Sequence, residues 1–278
     1  MAEIFTVMKW PLIACLLLPG ILVYLGLHIV RREVIFVDLA LAQVASLGAC
    51  VSLLLGHEAA DTQTYIWSVG FTLVGAAIFA LTRMRNHSRV PQEALIGIIY
   101  VVAAAAGILL LSRTAEGNEQ LRRTLIGDVL LVSPKEVLKT FGIYLVIGAV
   151  HFIFRKKFMM ISFEPECAEA EGMAVRWWDF LFYALFGLVV TSFVQIGGVL
   201  LVFSYLIVPA VCANLLVTRV AALLAVGWAI ATAAGVLGLY TAYRFDLPTG
   251  AAIICVLGAL LLLSGLAVVL RRKPKVNH

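Results

Sequence analysis

Charge is scarce in this sequence. Only 13% of its 278 residues are Asp, Glu, Lys or Arg, whereas 63% are hydrophobic. That is about half the charged share of an ordinary soluble domain, which excludes a water-soluble fold. Several chemical signatures are missing as well: no GxxxxGK[ST] phosphate loop, no GxGxxG after a strand, no HExxH pair and no GxSxG elbow. No motif for hydrolysing ATP is present, so nucleotide-driven work would need another subunit, and no enzymatic activity or bound cofactor is expected. The five cysteines form no CxxC pair, and four of them lie in apolar blocks, where they serve as packing residues. A small-residue cleavage site after a short first apolar block is also lacking, so that block is expected to be retained as a span.

The chain consists mostly of apolar blocks of about twenty residues, the length a helix needs to cross roughly 30 Å of hydrocarbon. The alternation of an outer-membrane barrel strand is absent. Spans are expected near 10–30, 34–56, 65–82, 92–111, 138–154, 178–195, 197–217, 220–242 and 248–270. The predicted fold is an all-α, polytopic bundle of eight or nine transmembrane helices, forming one membrane domain over residues 1–278. Gly20, Gly48, Gly75 and the pair Gly197-Gly198 lie in or beside the spans, where small residues let helices approach closely.

Lys and Arg flanking a span are retained on the cytoplasmic side. A cytoplasmic C-terminus puts 14 of the 21 basic residues inside: Arg31, Arg32, Arg83, Arg85, Arg89, Arg155, Lys156, Lys157, Arg176, Arg219, Arg271, Arg272, Lys273 and Lys275. It leaves Lys9, Arg113, Arg122, Arg123, Lys135, Lys139 and Arg244 outside. The net charge of +5 is thereby accounted for by inner loops, and no nucleic-acid partner is implied. Two connections stand out. Residues 112–137 are too many for a simple outer turn, and the apolar stretch 125–132 predicts a short helix or re-entrant piece packed on the bundle. On the inner side, residues 158–176 hold Pro165 at an early helix position, acids in the following turns and Gly172 as a stop, predicting a short amphipathic-to-acidic helix outside the membrane.

Ionisable groups inside hydrocarbon cost about 2.5–3.5 kcal/mol on insertion scales, so each needs a partner, water or a function. Asp38, one turn into the second span, either pairs with Arg31, Arg32 or a neighbouring helix or lines a substrate path. Gln43 lies about 140° around the helix from it and either hydrogen-bonds between helices or belongs to the same path. His151 reads as a bundle histidine. His57, Glu58 and Asp61 make a metal-capable outer loop that a plain polar connection would also resemble.

Four stretches converge on one family. Phe36-Val37-Asp38-Leu39-Ala40-Leu41-Ala42-Gln43 through Gly48 resembles the second-span signature F-V-G-D-A-L-S-H-A-A-L-P-G of zinc/manganese-type ABC permeases. Phe163 to Gly172 is similar to their cytoplasmic F-D-P-E-F-A-R-A-x-G, Gly198 to Ala210 to their V-G-A-L-L-V-x-A-L-L-I-x-P-A, and Asp246 to Ala251 to their D-L-P-P-G-A. The resemblance covers nearly the whole chain. It implies a homodimeric permease in the bacterial cytoplasmic (inner) membrane that imports zinc, manganese or iron. It further implies an ABC ATPase subunit docked through Glu164, Pro165, Glu166, Ala168 and Gly172, and an extracytoplasmic metal-binding protein delivering cargo. Asp38 and Gln43 would line the path, Asp38, His57 and Glu58 would offer metal ligands, and Gly197, Gly198 and Pro209 would give close packing and a helix break. The family's carboxylate and imidazole positions are held here by Leu39 and Gln43, with Asp38 one residue earlier. Altered donors leave a non-metal cargo as an alternative, and an ion-coupled secondary transporter or channel is the reading from another class.

Overall fold

The computed structural model describes residues 2–58, 61–82, 91–112, 125–127 and 129–271. Among them there are only helices, no strand: α1 (Ala2–Leu17), α2 (Pro19–Arg32), α3 (Val37–Leu54), α4 (Thr62–Leu81), α5 (Gln92–Leu111), a 3-10 turn (Val129–Leu131), α6 (Pro134–Ile153), α7 (Arg155–Phe163), α8 (Pro165–Ala170), α9 (Val175–Leu216), α10 (Val220–Phe245) and α11 (Thr249–Arg271). Eight segments among the described residues are long and apolar enough to cross a membrane, with α1 and α2 joined into one, Met8–Arg32. Basic residues 83, 85, 89, 113, 122, 123, 272, 273 and 275, used above to orient the chain, lie outside the described residues.

The 42 residues of α9 would make a rod of about 63 Å, twice the hydrocarbon thickness. They are two arms, 175–197 and 199–216, joined at Gly198, whose φ of 73° and ψ of 166° are not helical. The rings of Phe193 and Tyr205 lie 6.1 Å apart, although twelve residues of straight helix would separate them by about 18 Å, so the chain doubles back at this point. The expected spans near 178–195 and 197–217 are these arms. Pro209 was expected to share in the break, but no residue of α9 besides Gly198 leaves helical torsions. A proline removes one backbone hydrogen bond, and helix packing in a bilayer tolerates that loss.

Burial separates centre from periphery. The apolar windows of Met8–Arg32, α3 and α9 are each 61% buried inside the chain, those of α5 and α11 only 22% and 11%. Helices α2, α3 and α9 therefore form the middle of the bundle, and α5, α6, α10 and α11 turn apolar faces outward to lipid or to another protein. Small residues set the closest crossings: Gly26 of α2 lies against the Leu206 backbone, Gly48 of α3 against Trp67 and Phe71, and Gly75 of α4 against Leu41 and Val44. Gly20 touches Trp228 only at ordinary distance. Hydroxyl pairs add interhelical hydrogen bonds, Thr72 to Thr191 at 2.9 Å and Tyr65 to Ser192 at 3.1 Å, each worth on the order of 0.6 kcal/mol in a bilayer.

The described part of the outer connection packs on the hairpin tip. Gly127 (φ 62°) sits against Gly197 and Gly198, while Gly250 at the start of α11 meets the Ile126 carbonyl. A side chain at Gly198 would meet the Leu125 carbonyl at 2.7 Å, and its positive φ independently favours glycine. The chain then enters α6 through a capping box, with Ser133 Oγ accepting the Glu136 N–H and Glu136 Oε2 accepting the Ser133 N–H.

Candidate functional site

The connection after α6 holds two short helices where one amphipathic-to-acidic helix was expected. Basic and amphipathic α7 follows α6 directly, and α8 follows α7 after Glu164, with Pro165 at its first position. Helix α8 ends in a Schellman arrangement: Gly172 (φ 69°) donates its N–H to the Glu169 carbonyl and Met173 donates to the Ala168 carbonyl. Ala168 is fully buried, whereas Glu164, Pro165, Glu166, Cys167, Glu169 and Glu171 are exposed. The segment thus presents an acidic outer face on an inward-pointing alanine anchor, and its small size keeps α8 close to the bundle.

Behind it lies a buried polar cluster joining α2, α6, α7 and α9. Arg32 donates from Nε to Ser162 Oγ at 2.8 Å and from Nη1 to Asp179 Oδ1 at 2.8 Å. The ion pair is almost wholly buried, at 6% and 0% exposure. The guanidinium carbon stands 3.9 Å from the Phe182 ring centroid, a cation–π contact. His28 Nδ1 lies 2.8 Å from Ser162 Oγ, and Tyr24 bonds His151 Nδ1 at 3.3 Å. His151, expected as a bundle histidine, stacks on Phe158 at 4.3 Å. Sequence inspection named Arg32 as an inner-loop charge and a partner of Asp38; the structure pairs it instead with Asp179, 147 residues away. A lone acid near the start of an apolar block was the signal for Asp179.

Asp38 occupies the first turn of α3 and is 1% exposed. Neither of its oxygens has a hydrogen-bond partner among the described residues. Its electrostatic neighbours are the backbone N–H groups at the start of α3 and the Glu93 carboxylate in the first turn of α5. Glu93 was not singled out from sequence, since it lies at the edge of an apolar block; its Oε1 accepts the Phe36 N–H at 3.0 Å and its Oε2 is buried without a partner. Gln43, 8% exposed, sits further along α3. Leu39, at the family's carboxylate position, packs partly buried against the core.

The expected metal ligands are not brought together. Asp38 begins α3 and His57 follows its end, 18 helical residues or about 27 Å away, so one ion cannot bridge them. In the outer loop Asp61 Oδ2 accepts the Glu58 N–H at 3.0 Å, which shapes the turn into α4. No group of three or more His, Cys, Asp or Glu side chains able to hold a metal ion occurs among the described residues.

Comparison with known proteins gives the same architecture. The manganese transport system membrane protein MntC of Listeria innocua serovar 6a is 29% identical over 232 residues, covering 84% of this chain and 80% of the relative. The manganese import system permease protein ScaB of Streptococcus gordonii is 28% identical over 239 residues, covering 86% and 83%. Among solved structures, PsaBC from Streptococcus pneumoniae in complex with Fab superposes with a TM-score of 0.79 at 26% identity, covering 95% of each chain. The profile of the ABC 3 transport family matches residues 4–268, nearly the entire bundle from α1 to α11, and the chain belongs to that family as an integral membrane permease of an ABC transporter.

Proposed function

We propose that this permease imports a divalent metal ion, manganese first, across the bacterial cytoplasmic membrane, driven by ATP hydrolysed on a separate ABC ATPase. The observation that carries the cargo is Asp38, a carboxylate buried at the inner end of a central helix with no partner to neutralise it. An intramembrane acid without a structural partner marks a substrate path. The names of the relatives agree, being manganese permeases. Carboxylate and amide oxygens at Asp38 and Gln43 suit a hard cation such as Mn2+ or Fe2+, and the glutamine in place of an imidazole removes the nitrogen donor that zinc favours. Membership of an ATP-driven family argues against the ion-coupled and channel readings.

The remaining parts take roles by position. Glu164, Pro165, Glu166, Ala168 and Gly172 dock the ATPase through the capped acidic helix α8. The cluster at Arg32 passes its displacement to α2 and α9, because Ser162 sits one residue before α7 ends and Asp179 lies near the start of α9. Of the outer connection 112–137, whose residues 113–124 and 128 lie outside the described residues, the part around Gly127 caps the hairpin tip at the outer mouth, a role supported by its seat on Gly197 and Gly198. The outward apolar faces of α5 and α11 suit a homodimer, and cargo reaches the outer mouth on an extracytoplasmic metal-binding protein. The test is copurification with the cognate ATPase followed by manganese uptake into proteoliposomes. ATP-dependent uptake that Asp38→Ala abolishes while ATPase association persists is the expected result; wild-type complex that hydrolyses ATP without moving manganese, iron or zinc would sink the cargo assignment.

A further inference from the structure

Helices α3 and α5 are packed neighbours whose N-termini meet at the inner end of the bundle, fastened there by the hydrogen bond from the Phe36 N–H to Glu93 Oε1. Asp38 is the second residue of α3 and Glu93 the second of α5. The Phe36 hydrogen bond seats the Glu93 carboxylate two residues before Asp38, at the same helix end. Three of the four oxygens, both of Asp38 and Oε2 of Glu93, are buried without any hydrogen-bond partner among the described residues. We propose that Asp38 and Glu93 together form a divalent-cation site of oxygen donors, the last station of the ion before the cytoplasm. The proposal rests on the metal-importer reading above and adds to it a second ligand from another helix.

A structural explanation accounts for only one of those oxygens, since Glu93 needs Oε1 alone to hold Phe36. Charge also favours a cation. Each helix N-terminus contributes roughly half a positive charge, so the two carboxylates, once both are ionised by an arriving cation, retain about one unit of negative excess, which a divalent ion more than offsets. Two carboxylates completed by water suit Mn2+ or Mg2+, hard ions that accept one or two protein carboxylates and keep part of their hydration. The position differs from the family's signature pair, which here is Leu39 and Gln43. A shallow site fits release, because a cation bound by two ligands exchanges them for cytoplasmic water more readily than one enclosed by a full ligand set.

The permease–ATPase complex in lipid nanodiscs is titrated with Mn2+ alone, and loss of the free-ion electron paramagnetic resonance signal reports binding. Glu93→Gln keeps an oxygen for the Phe36 N–H and removes the charge, and Asp38→Asn does the same on α3. Each is expected to weaken Mn2+ binding by at least about tenfold, the loss that removal of even an outer-sphere partner produces. Their elution profile and ATPase association should be unchanged. Glu93→Ala, which also drops the Phe36 hydrogen bond, separates anchoring from charge: binding lost in both Glu93 variants supports the site, whereas loss in Glu93→Ala alone makes Glu93 an anchor and overturns it. Wild-type binding in both Asp38→Asn and Glu93→Gln also overturns it. Uptake is read separately, so a wild-type complex that transports manganese while Glu93→Gln binds like wild type removes this site and leaves the importer standing. Binding lost in the variants without wild-type uptake removes the importer and leaves the site.

Discussion

Asp179 and Asp38 are both buried carboxylates near the N-terminal ends of central helices, yet their surroundings are opposite. Asp179 meets a guanidinium at 2.8 Å, and that guanidinium is itself bonded to Ser162 and stacked on Phe182. Asp38 has no hydrogen-bond partner for either oxygen among the described residues and has another carboxylate for a neighbour. The first arrangement uses its charge to hold three helices, α2, α7 and α9, together; the second leaves its oxygens without a hydrogen-bond partner among the described residues. Hydrophobicity alone would class the two acids together. What separates them is the inventory of partners: Asp179 finds its partner within the chain, and Asp38 is the residue proposed above to meet the cargo.

The contrast breaks most visibly at Arg32. Removing one member of a buried pair strands the other charge, a loss of about 3–5 kcal/mol, so Arg32→Ala should lower the thermal midpoint of the purified permease sharply and weaken ATPase association; an unchanged midpoint would mean that the pair is idle. The next largest effect is expected at the hairpin tip, where Gly198→Ala forces a side chain into the left-handed region and toward the Leu125 carbonyl. The torsional part alone, for an extended positive-φ conformation open essentially only to glycine, is about 1–3 kcal/mol, and protease nicking between α5 and α6 should rise. Ser133→Ala removes one half of the capping box of α6 and should cost about 1 kcal/mol, read as a small shift in the same melting curve. Asp38→Asn should cost nothing in stability and can raise it, because neutralising an unpaired buried acid relieves desolvation; a fall as large as that of Arg32→Ala would place Asp38 with Asp179.

Much of this architecture was legible from sequence because lipid imposes a simple rule: twenty apolar residues make a span. The two arms of α9 were separable at Gly197-Gly198, and the Pro165 to Gly172 segment showed its start and stop residues before its geometry was seen. Pro209 misled, since proline weakens a helix locally while packing against α2 and α10 keeps it intact. Helix α7 was hidden because its basic, amphipathic stretch continues a span without a breaking residue. The site was only half legible. Asp38 stood out as a charge in an apolar block, but Glu93 and Asp179 look like ordinary acids near helix starts, and their roles arise from contacts 57 and 147 residues distant in sequence.

The most direct test measures thermal stability and ATP-dependent manganese uptake side by side for wild type, Asp38→Asn and Asp179→Asn in complex with the ATPase. The account predicts that Asp38→Asn melts at or above the wild-type temperature and transports nothing, while Asp179→Asn melts well below it. An Asp38→Asn complex that transports manganese at the wild-type rate would contradict it.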